Sequence, residues 1–390
     1  MRIGFFTYGI RDGQKLSGIA RYTMELTRAL RRVDPGLDLV LLTPYPGSDI
    51  PWYREFETYP VPSLGWLPQV MTLGHAVLPH AAYALGLDVL HDPCGIAPFV
   101  APRGRSRRAV TIHDAFAQIV PQTQDPLMRV LYRTLIPLAR YTADAIFTVS
   151  EASARDLTRL CRLPPHKVHV TPLGVQPLDL PQAGTASPVA GLDLSKPYFL
   201  FVGNLTPRKN LGRVLEALAR VREGWGDVQL VIVGPAFWRG HEVFGQVRQA
   251  EGVLLTGFVP DETLQALYAG ASALVFPSLY EGFGLPALEA MTQGCPVITS
   301  NLSSLPEVVG DAALLVDPYR VDEIASAMHR LLGDPVLGTD LRRRGRERAA
   351  RFSWDETARQ TLDVYRGLGV TRPVQPGRPQ ASRRASELRR

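Results

Sequence analysis

Two adjacent cations, Arg208 and Lys209, follow a strand-like apolar run and precede a segment with helical periodicity. Thr206 is predicted to cap that helix and Pro207 to occupy its first position, which places both cations in the first helical turn. Cations there oppose the helix dipole, so a negative partner is expected beside them. A phosphate or diphosphate meets that requirement, and solvated charges at a surface helix end are the alternative.

Two glutamates bracket the start of another predicted helix. Glu281 lies in a loop after the predicted strand Ala273–Phe276, and Glu289 lies about one turn into the helix. Gly282 and Gly284 let the backbone of that loop approach a ligand closely. Because carboxylates accept hydrogen bonds from vicinal hydroxyls, the pair is predicted to bind a sugar or ribose diol in a cleft.

The elements that must position these residues alternate between short β-branched runs and helix-period segments. This alternation is typical of parallel sheets with crossover helices, and there are enough runs for two doubly wound sheets. The predicted strands of the first series are residues 2–7, 38–43, 88–91, 109–113, 145–149 and 168–171, and those of the second are 199–203, 229–233, 254–256, 273–276, 297–299 and 314–316. The fold class is therefore α/β, with two Rossmann-like lobes and a cleft between them.

Domain boundaries follow from the composition of the connecting segments. Residues 176–197 are rich in Pro, Gly, Ala and Ser and are predicted to link a lobe at 1–175 to a lobe at 198–352. A helix is predicted within 353–370, and the Pro/Arg-rich tail at 371–390 is predicted to be disordered.

The net charge of +6 is distributed unevenly along the chain. The first half and the tail are basic, whereas the second half up to the tail is acidic. The basic half indicates either a scattered basic surface or a face for an anionic membrane or a phosphorylated acceptor. Because the charge is bipolar and aromatic residues are not interleaved with basic ones, no nucleic-acid partner is expected.

Segments and residues outside the motifs carry further expectations. The three cysteines (Cys94, Cys161 and Cys295) are too scattered for a disulfide framework or zinc site and are predicted to fill the core.

No secretory signal or membrane-spanning run is recognised, so the expected location is cytoplasmic, with the inner face of the membrane as a peripheral contact. Residues 58–87 contain no Asp, Glu, Lys or Arg. They are predicted to form a buried connection and a helix, or alternatively an apolar surface that carries Trp66 and binds a lipid or aromatic acceptor.

The segment from Glu281 to Glu289 resembles the Glu-x7-Glu motif of the family 4 retaining glycosyltransferases, the group 1 glycosyltransferases with the GT-B fold. Residues 17–22, 111–114, 208–209 and 256–259 are also similar to this family, so the resemblance covers most of the chain. It implies that the first lobe binds the acceptor, that the second binds a nucleotide sugar, and that the C-terminal helix crosses back to the first lobe. Relatives often have a second glycine where this chain has Ala20.

The resemblance also implies a role for each site residue. Arg208 and Lys209 would bind the donor diphosphate and would act in catalysis together with His113 and Glu281. Glu289 would bind the ribose, and Glu281 would hold the sugar and its phosphate together with the backbone of Phe283, Gly284 and Leu285. Gly18 would touch the diphosphate, and the backbone at Val259 would contact the base. His113 would lie beside the donor sugar, and a purely structural histidine is the alternative.

The reaction implied is the transfer of a hexose, with retention of configuration, to a hydroxyl acceptor. The cations would stabilise the leaving diphosphate, which itself would take the acceptor proton, and a covalent intermediate on Glu281 is the alternative route. Mannose carried by GDP is the donor favoured by the resemblance. A glycan or lipid-linked acceptor of polysaccharide or glycolipid synthesis is expected.

Metal and cofactor requirements can also be predicted. The chain contains no Asp-x-Asp and no cluster with metal-ligand spacing, so activity without any metal or cofactor is predicted.

Other functions fit the same fold. A sugar-nucleotide epimerase would bind the same donor without an acceptor, and a non-catalytic two-lobed protein would bind sugar without turnover. A nicotinamide dehydrogenase and a P-loop NTPase are disfavoured because neither glycine-rich signature occurs at the required place.

Overall fold

The structure is a computed structural model that describes residues 1–7, 10–11, 17–62, 74–95, 104–123, 126–176, 189–235 and 241–369. The tail at 371–390, Trp66 and most of the predicted linker lie outside the described residues.

The first lobe is built on a parallel sheet in the order β3-β2-β1-β4-β5-β6-β7. Its strands are β1 (Arg2–Phe6), β2 (Asp38–Thr43), β3 (Glu57–Pro60), β4 (Val89–Asp92), β5 (Arg107–Thr111), β6 (Ala145–Thr148) and β7 (Val168–Val170). The central strands are buried along nearly their whole length, as expected for a parallel sheet covered by helices on both faces.

The second lobe has a parallel sheet in the order β10-β9-β8-β11-β12-β13. Its strands are β8 (Tyr198–Val202), β9 (Gln229–Val233), β10 (Val253–Gly257), β11 (Ala273–Phe276), β12 (Val297–Ser300) and β13 (Leu314–Val316). Each predicted strand is present in one of the two sheets, within one or two residues at its ends. The chain is therefore α/β with two Rossmann-like lobes, as predicted.

The helices of the first lobe are α1 (Gly18–Val33), α2 (Gly74–Leu85), α3 (Phe116–Ile119), α4 (Pro126–Leu135), α5 (Ala139–Thr142) and α6 (Glu151–Leu160). Those that follow are α7 (Leu211–Trp225), α8 (His241–Gln249), α9 (Asp261–Gly270), α10 (Leu285–Thr292), α11 (Leu305–Val309), α12 (Val321–Gly333), α13 (Pro335–Ala349) and α14 (Trp354–Gly367). No helix in the described ranges is both long and apolar enough to cross a bilayer.

The edge strand β3 was not predicted. It lies at the border of the uncharged segment 58–87, and most of its side chains are exposed. Pro60 ends the strand, consistent with the restriction of proline to strand ends and sheet edges. Of the same segment, the structure also describes α2, which contains Pro79.

The last helix, α14, packs on α1 of the first lobe. Arg32 of α1 donates to the carboxylate of Asp355 at 2.7 Å, and the buried Tyr365 is hydrogen-bonded to His91 of β4. At the start of the helix, Gly174 of the first lobe lies directly against the backbone of Trp354. The helix α14 therefore contributes to the core of the first lobe.

The three cysteines are buried and form no disulfide with one another, as predicted.

Candidate active site

A cavity of about 800 Å³ lies between the lobes, where the carboxyl ends of strands from both sheets face each other. The predicted site residues line it together: Gly18, His113, Arg208, Lys209, Val259, Glu281, Phe283, Gly284, Leu285 and Glu289. The structure thus brings residues from separate loops and both lobes to one place.

Arg208 and Lys209 were predicted to lie in the first turn of the helix that follows them. They lie instead in a separate short 3-10 turn, Pro207–Lys209. Asn210 has a left-handed backbone conformation with φ of 64°, which separates this turn from α7. Thr206 precedes the turn but its side chain makes no capping hydrogen bond. The prediction was wrong because Asn210 is held by partners distant in sequence: its amide donates to the carbonyl oxygens of Pro277 at 3.0 Å and Pro318 at 2.6 Å.

The carboxylate of Glu281, which was not predicted to pair with these cations, lies beside both of them. Lys209 Nζ lies 2.7 Å from Oε1, and an Arg208 guanidinium nitrogen lies 2.9 Å from Oε2. Burial alone would raise the pKa of Glu281, but the two cations outweigh it and lower the pKa to about 2. Burial lowers the pKa of Lys209, and Glu281 opposes that shift. The cluster carries two cations for one anion and therefore has a net positive charge.

Arg208 is held from both lobes. It donates to the carbonyl oxygen of Tyr280 at 2.6 Å, and its guanidinium lies 5.7 Å from the ring centroid of Phe116 in the first lobe. Asp114, also in the first lobe, lines the cavity. Burial raises the pKa of Asp114 and Arg208 lowers it, so this carboxyl group is electrostatically linked to the cationic cluster.

Glu289 lies in α10 with only 14% of its side chain exposed. Arg21 of α1 donates from the opposite lobe to Oε1 at 2.5 Å, and the hydroxyl of Tyr268 lies 3.5 Å from Oε2. Burial raises the pKa of Glu289 and Arg21 opposes that shift. Sequence reasoning did not assign Arg21 to the site.

His113 follows β5 at the floor of the cavity. Its Nε2 lies 2.9 Å from the carbonyl oxygen of Pro93, which can only accept, so Nε2 carries the proton and Nδ1 is the acceptor. Burial lowers the pKa of His113 to about 4, so the ring is neutral at pH 7. Its ring packs edge-to-face against Tyr22 with the centroids 4.9 Å apart.

A buried hydrogen-bond chain continues behind Tyr22. The hydroxyl groups of Tyr22 and Thr111 are 2.9 Å apart, and the Thr111 hydroxyl lies 2.7 Å from Nε2 of His91. Nδ1 of His91 is bonded to the hydroxyl of Tyr365 in α14. These hydrogen bonds connect α14 to the ring of Tyr22, against which His113 packs.

The loop between β11 and α10 is fixed by serines of its own lobe. Ser304 donates to the carbonyl oxygens of Glu281 at 2.9 Å and Phe283 at 2.9 Å, and the hydroxyl of Ser303 accepts from the Glu281 N–H at 3.0 Å. Gly284 has φ of +107°, and a Cβ there would lie 2.6 Å from a methyl carbon of Leu305. Glycine is therefore required where the loop enters α10.

The side chain of Glu307 joins the lobes at the N-terminus of α6 by accepting two hydrogen bonds. Its carboxylate accepts from the backbone N–H groups of Glu151 at 2.9 Å and Ala152 at 3.1 Å. The negative charge lies where the helix dipole favours it. Sequence reasoning missed this contact because the partners are more than 150 residues apart.

The remaining predicted residues lie at the rim and walls. Gly18 begins α1, where a Cβ would meet no atom within 4 Å. The hydroxyl of Ser17 caps this helix by accepting from the N–H of Ala20 at 3.1 Å. Val259 is buried between β10 and α9. Among the described residues, no group of three or more His, Cys, Asp or Glu side chains is arranged to hold a metal ion.

Comparison with known proteins identifies the family to which the chain belongs. Residues 16–177 match the profile of Glycosyltransferase Family 4, and residues 185–351 match that of Glycosyl transferases group 1. O-antigen chain mannosyltransferase B of Escherichia coli is 35% identical over 282 residues, which cover 69% of this chain and 73% of that protein. MMP alpha-(1->4)-mannosyltransferase of Mycolicibacterium hassiacum is 37% identical over 231 residues, which cover 56% of this chain and 53% of that protein.

Solved structures share the fold at low sequence identity. Sucrose-phosphate synthase from Thermosynechococcus elongatus has a TM-score of 0.77 at 22% identity, with 94% of this chain and 99% of that one covered. WaaG, a glycosyltransferase involved in lipopolysaccharide biosynthesis, has a TM-score of 0.71 at 19% identity, with 94% and 100% covered. These proteins establish the GT-B fold, and together with the profile matches and the E. coli relative they show that the chain belongs to the family 4, group 1 glycosyltransferases.

Proposed function

We propose that this glycosyltransferase moves a hexose, with retention of configuration, from a nucleoside-diphosphate sugar to a hydroxyl of a glycan or lipid-linked acceptor. The observation that carries the proposal is the cluster of Arg208, Lys209 and Glu281 in the same interlobe cavity as Glu289. It offers positive charge for a diphosphate and a carboxylate for a ribose. The names of the two mannosyltransferase relatives favour mannose as the sugar. GDP as its carrier is favoured by the family resemblance alone.

The proposed donor pose follows the charges along the cavity. The diphosphate lies against Arg208 and Lys209, and the ribose diol donates to the carboxylate of Glu289. Glu281 and the N–H groups of Phe283–Leu285, at the start of α10, hold the sugar and the adjoining phosphate. Gly18 completes the diphosphate site from the first lobe, and the base lies at Val259.

In the proposed reaction, the acceptor oxygen bonds to the anomeric carbon on the face from which the diphosphate departs. The bond between that carbon and the phosphate oxygen breaks, and the leaving phosphate takes the acceptor proton. Arg208 and Lys209 stabilise the negative charge that develops on the diphosphate. Neutral His113 accepts a hydrogen bond from a sugar hydroxyl at Nδ1.

The ion pairs of Glu281 favour this direct route over a covalent intermediate. The carboxylate of Glu281 is bound to two cations and has a pKa of about 2. Such a weakly basic carboxylate is a weak nucleophile. The role of Glu281 is therefore to hold the cations and to accept from the sugar.

We further propose that the reaction needs no metal ion or cofactor. Arg208 and Lys209 supply the positive charge that a divalent ion supplies to diphosphates in other enzymes. Turnover that persists in EDTA supports this proposal, and turnover abolished by EDTA and restored by Mg²⁺ contradicts it.

A peripheral membrane contact is proposed on α4. Its outer side exposes Leu127 by 62% and Val130 by 55%, with Arg133 also exposed, whereas Tyr132 of the same helix lines the cavity. Apolar and basic side chains on one helix suit an anionic bilayer surface beside a lipid-linked acceptor. Binding to phosphatidylglycerol vesicles that weakens with salt supports the contact, and a Leu127→Asp variant that binds equally well contradicts it.

The function is tested by calorimetric binding of GDP, UDP, ADP and dTDP in EDTA, followed by analysis of the products. Selective binding that Arg208→Ala abolishes supports the diphosphate site. A glycoside that keeps the anomeric configuration of the donor, with nucleotide released, supports retaining transfer. An isomerised sugar nucleotide favours the epimerase, binding without turnover favours a binding protein, and no binding by the folded chain removes the donor site.

A further inference from the structure

Arg21 reaches across the cleft to the carboxylate assigned to the ribose. It is the fourth residue of α1 in the first lobe, and its guanidinium contacts two carboxylates of the second lobe. One nitrogen donates to Oε1 of Glu289 at 2.5 Å, and another lies 3.4 Å from Oδ2 of Asp261. All three residues line the interlobe cavity, and Arg21 itself is 41% exposed.

The carboxylate of Glu289 can bind Arg21 and a diol at once. An ionised carboxylate has about four acceptor sites, and the contacts with Arg21 and Tyr268 use one on each oxygen. A ribose diol can donate to those that remain without displacing the guanidinium. Arg21 therefore does not compete with the diol for Glu289.

We propose that Arg21 is a positioning residue for the donor ribose, which keeps Glu289 ionised and aimed at the diol. This inference rests on the proposed function, because it takes the donor to be a ribonucleotide. Since Arg21 and Glu289 belong to different lobes, the ribose site is complete only when the lobes are together. Recognition of the ribose is thereby coupled to closure of the cleft.

The other groups that face Glu289 make Arg21 necessary. From α9, Asp261 contributes a negative charge and Tyr268 a hydroxyl, and from α1 the charges of Glu25 and Arg28 lie further along the helix. Burial and Asp261 raise the pKa of Glu289, and Arg21 lowers it. Without Arg21 the carboxyl group becomes protonated at higher pH and can no longer accept from both diol hydroxyls.

The test compares GDP with 2′-deoxy-GDP, and UDP with 2′-deoxy-UDP, by calorimetry at pH 8 and pH 6. The variants are Arg21→Met, which removes the charge, and Arg21→Lys, which keeps it. Arg32→Met is the matched control because Arg32 is on the same helix and pairs with Asp355 of α14, and neither residue lines the cavity. Thermal unfolding of each variant verifies that it is folded.

The wild type should prefer the ribonucleotide over its deoxy form by about tenfold, as expected for hydrogen bonds to a charged group. Arg21→Met should lose this preference, and lose it more completely at pH 6 than at pH 8, whereas titration of the nucleotide's own phosphate affects the ribo and deoxy forms alike. Arg21→Lys should keep the preference of the wild type at both pH values, and Arg32→Met should match the wild type throughout.

Equal loss of affinity for both forms of the nucleotide in Arg21→Met would overturn the inference, because Arg21 would then act on the diphosphate. An unchanged preference and pH profile would overturn it as well. In both cases the donor site of the wild type stands. Failure of the wild type to bind any of the four nucleotides would instead overturn the proposed function, and this inference with it.

Discussion

The carbonyl oxygen of Gly282 accepts a hydrogen bond of 2.7 Å from the hydroxyl of Ser150, across the boundary between the lobes. Ser153 donates to the same oxygen at 3.2 Å. On the other side of the glycine, a Cβ would lie 2.7 Å from the carbonyl oxygen of His113 and 2.9 Å from Cβ of Asp114. The distance between the lobes is therefore fixed beside Glu281.

Gly282→Ala should hold the lobes apart, because the added methyl group would contact backbone of the first lobe, which cannot move aside like a side-chain end. Most residues assigned to the nucleotide belong to the second lobe, but the ribose site also needs Arg21 of the first, so nucleotide affinity should fall by no more than about tenfold. The reaction needs both lobes, so kcat should fall by about tenfold or more in addition. Calorimetry and steady-state kinetics measure the two effects. Gly338→Ala is the control, since a Cβ at that helical position meets nothing within 4 Å. Normal turnover by Gly282→Ala would contradict lobe closure as a requirement.

Glu281→Gln should lower kcat by about a hundredfold, in the range seen when one preorganised electrostatic partner is removed. The amide has nearly the same shape as the carboxylate but leaves the charges of Arg208 and Lys209 uncompensated. Because a pKa of about 2 keeps Glu281 ionised, the wild-type rate should show no titration of this group between pH 5 and 9. Glu216→Gln, at an exposed position on α7, is the control. Full turnover by Glu281→Gln would show that its assigned role is wrong.

The sheets could be predicted because their strands are short buried runs that repeat along the chain. The exposed edge strand β3 lacks that pattern, since its side chains gain little from burial and no apolar run marks it. Periodicity likewise could not place the break before α7. The left-handed conformation of Asn210 depends on carbonyl groups 67 and 108 residues away.

The candidate site was predictable where one motif contains the residues, as for Glu281 and Glu289. Arg21 was missed for a physical reason: helical periodicity places it on the polar face of α1, away from the core of its own lobe. Only the approach of the second lobe, 268 residues along the chain, gives it a partner. The contacts of Ser150 and Glu307 were missed for the same reason, because they too form between lobes.

His91 should make the protein less stable as the pH falls. Burial lowers its pKa to about 3, well below the ordinary value near 6.5, so between these pH values the unfolded chain binds a proton that the folded chain does not. Each such histidine reduces the free energy of unfolding by up to about 1.4 kcal/mol per pH unit in that window, and the loss begins as the pH drops below about 6.5.

Replacement of His91 by glutamine should therefore flatten the dependence of stability on pH between 6 and 4.5, by up to about 1.4 kcal/mol per pH unit. Urea unfolding at several pH values measures this slope. His166→Gln, at an exposed position, is the matched control for the substitution itself. Parallel profiles for wild type and His91→Gln would contradict a neutral, buried His91.

Gly174→Ala should detach α14 from the first lobe. A Cβ at this position would lie 2.5 Å from the carbonyl carbon of Ser353 and 2.6 Å from Cα of Trp354, and both are backbone atoms at the start of the helix. Relief of the overlap requires α14 to shift from α1, which disturbs the buried Trp354 and Tyr365. We expect a loss of about 2–4 kcal/mol in the free energy of unfolding, typical of a core rearrangement.

Urea unfolding at pH 7 measures that loss, with Gly367→Ala as the matched control. Gly367 is the last residue of the same helix, and a Cβ there would meet nothing within 4 Å, so the control variant should be no less stable than the wild type. Tryptophan fluorescence should be quenched more strongly by a soluble quencher in Gly174→Ala, because Trp354 becomes accessible, but not in the control. If both variants unfold at the same urea concentration as the wild type, the contact between Gly174 and α14 does not stabilise the first lobe.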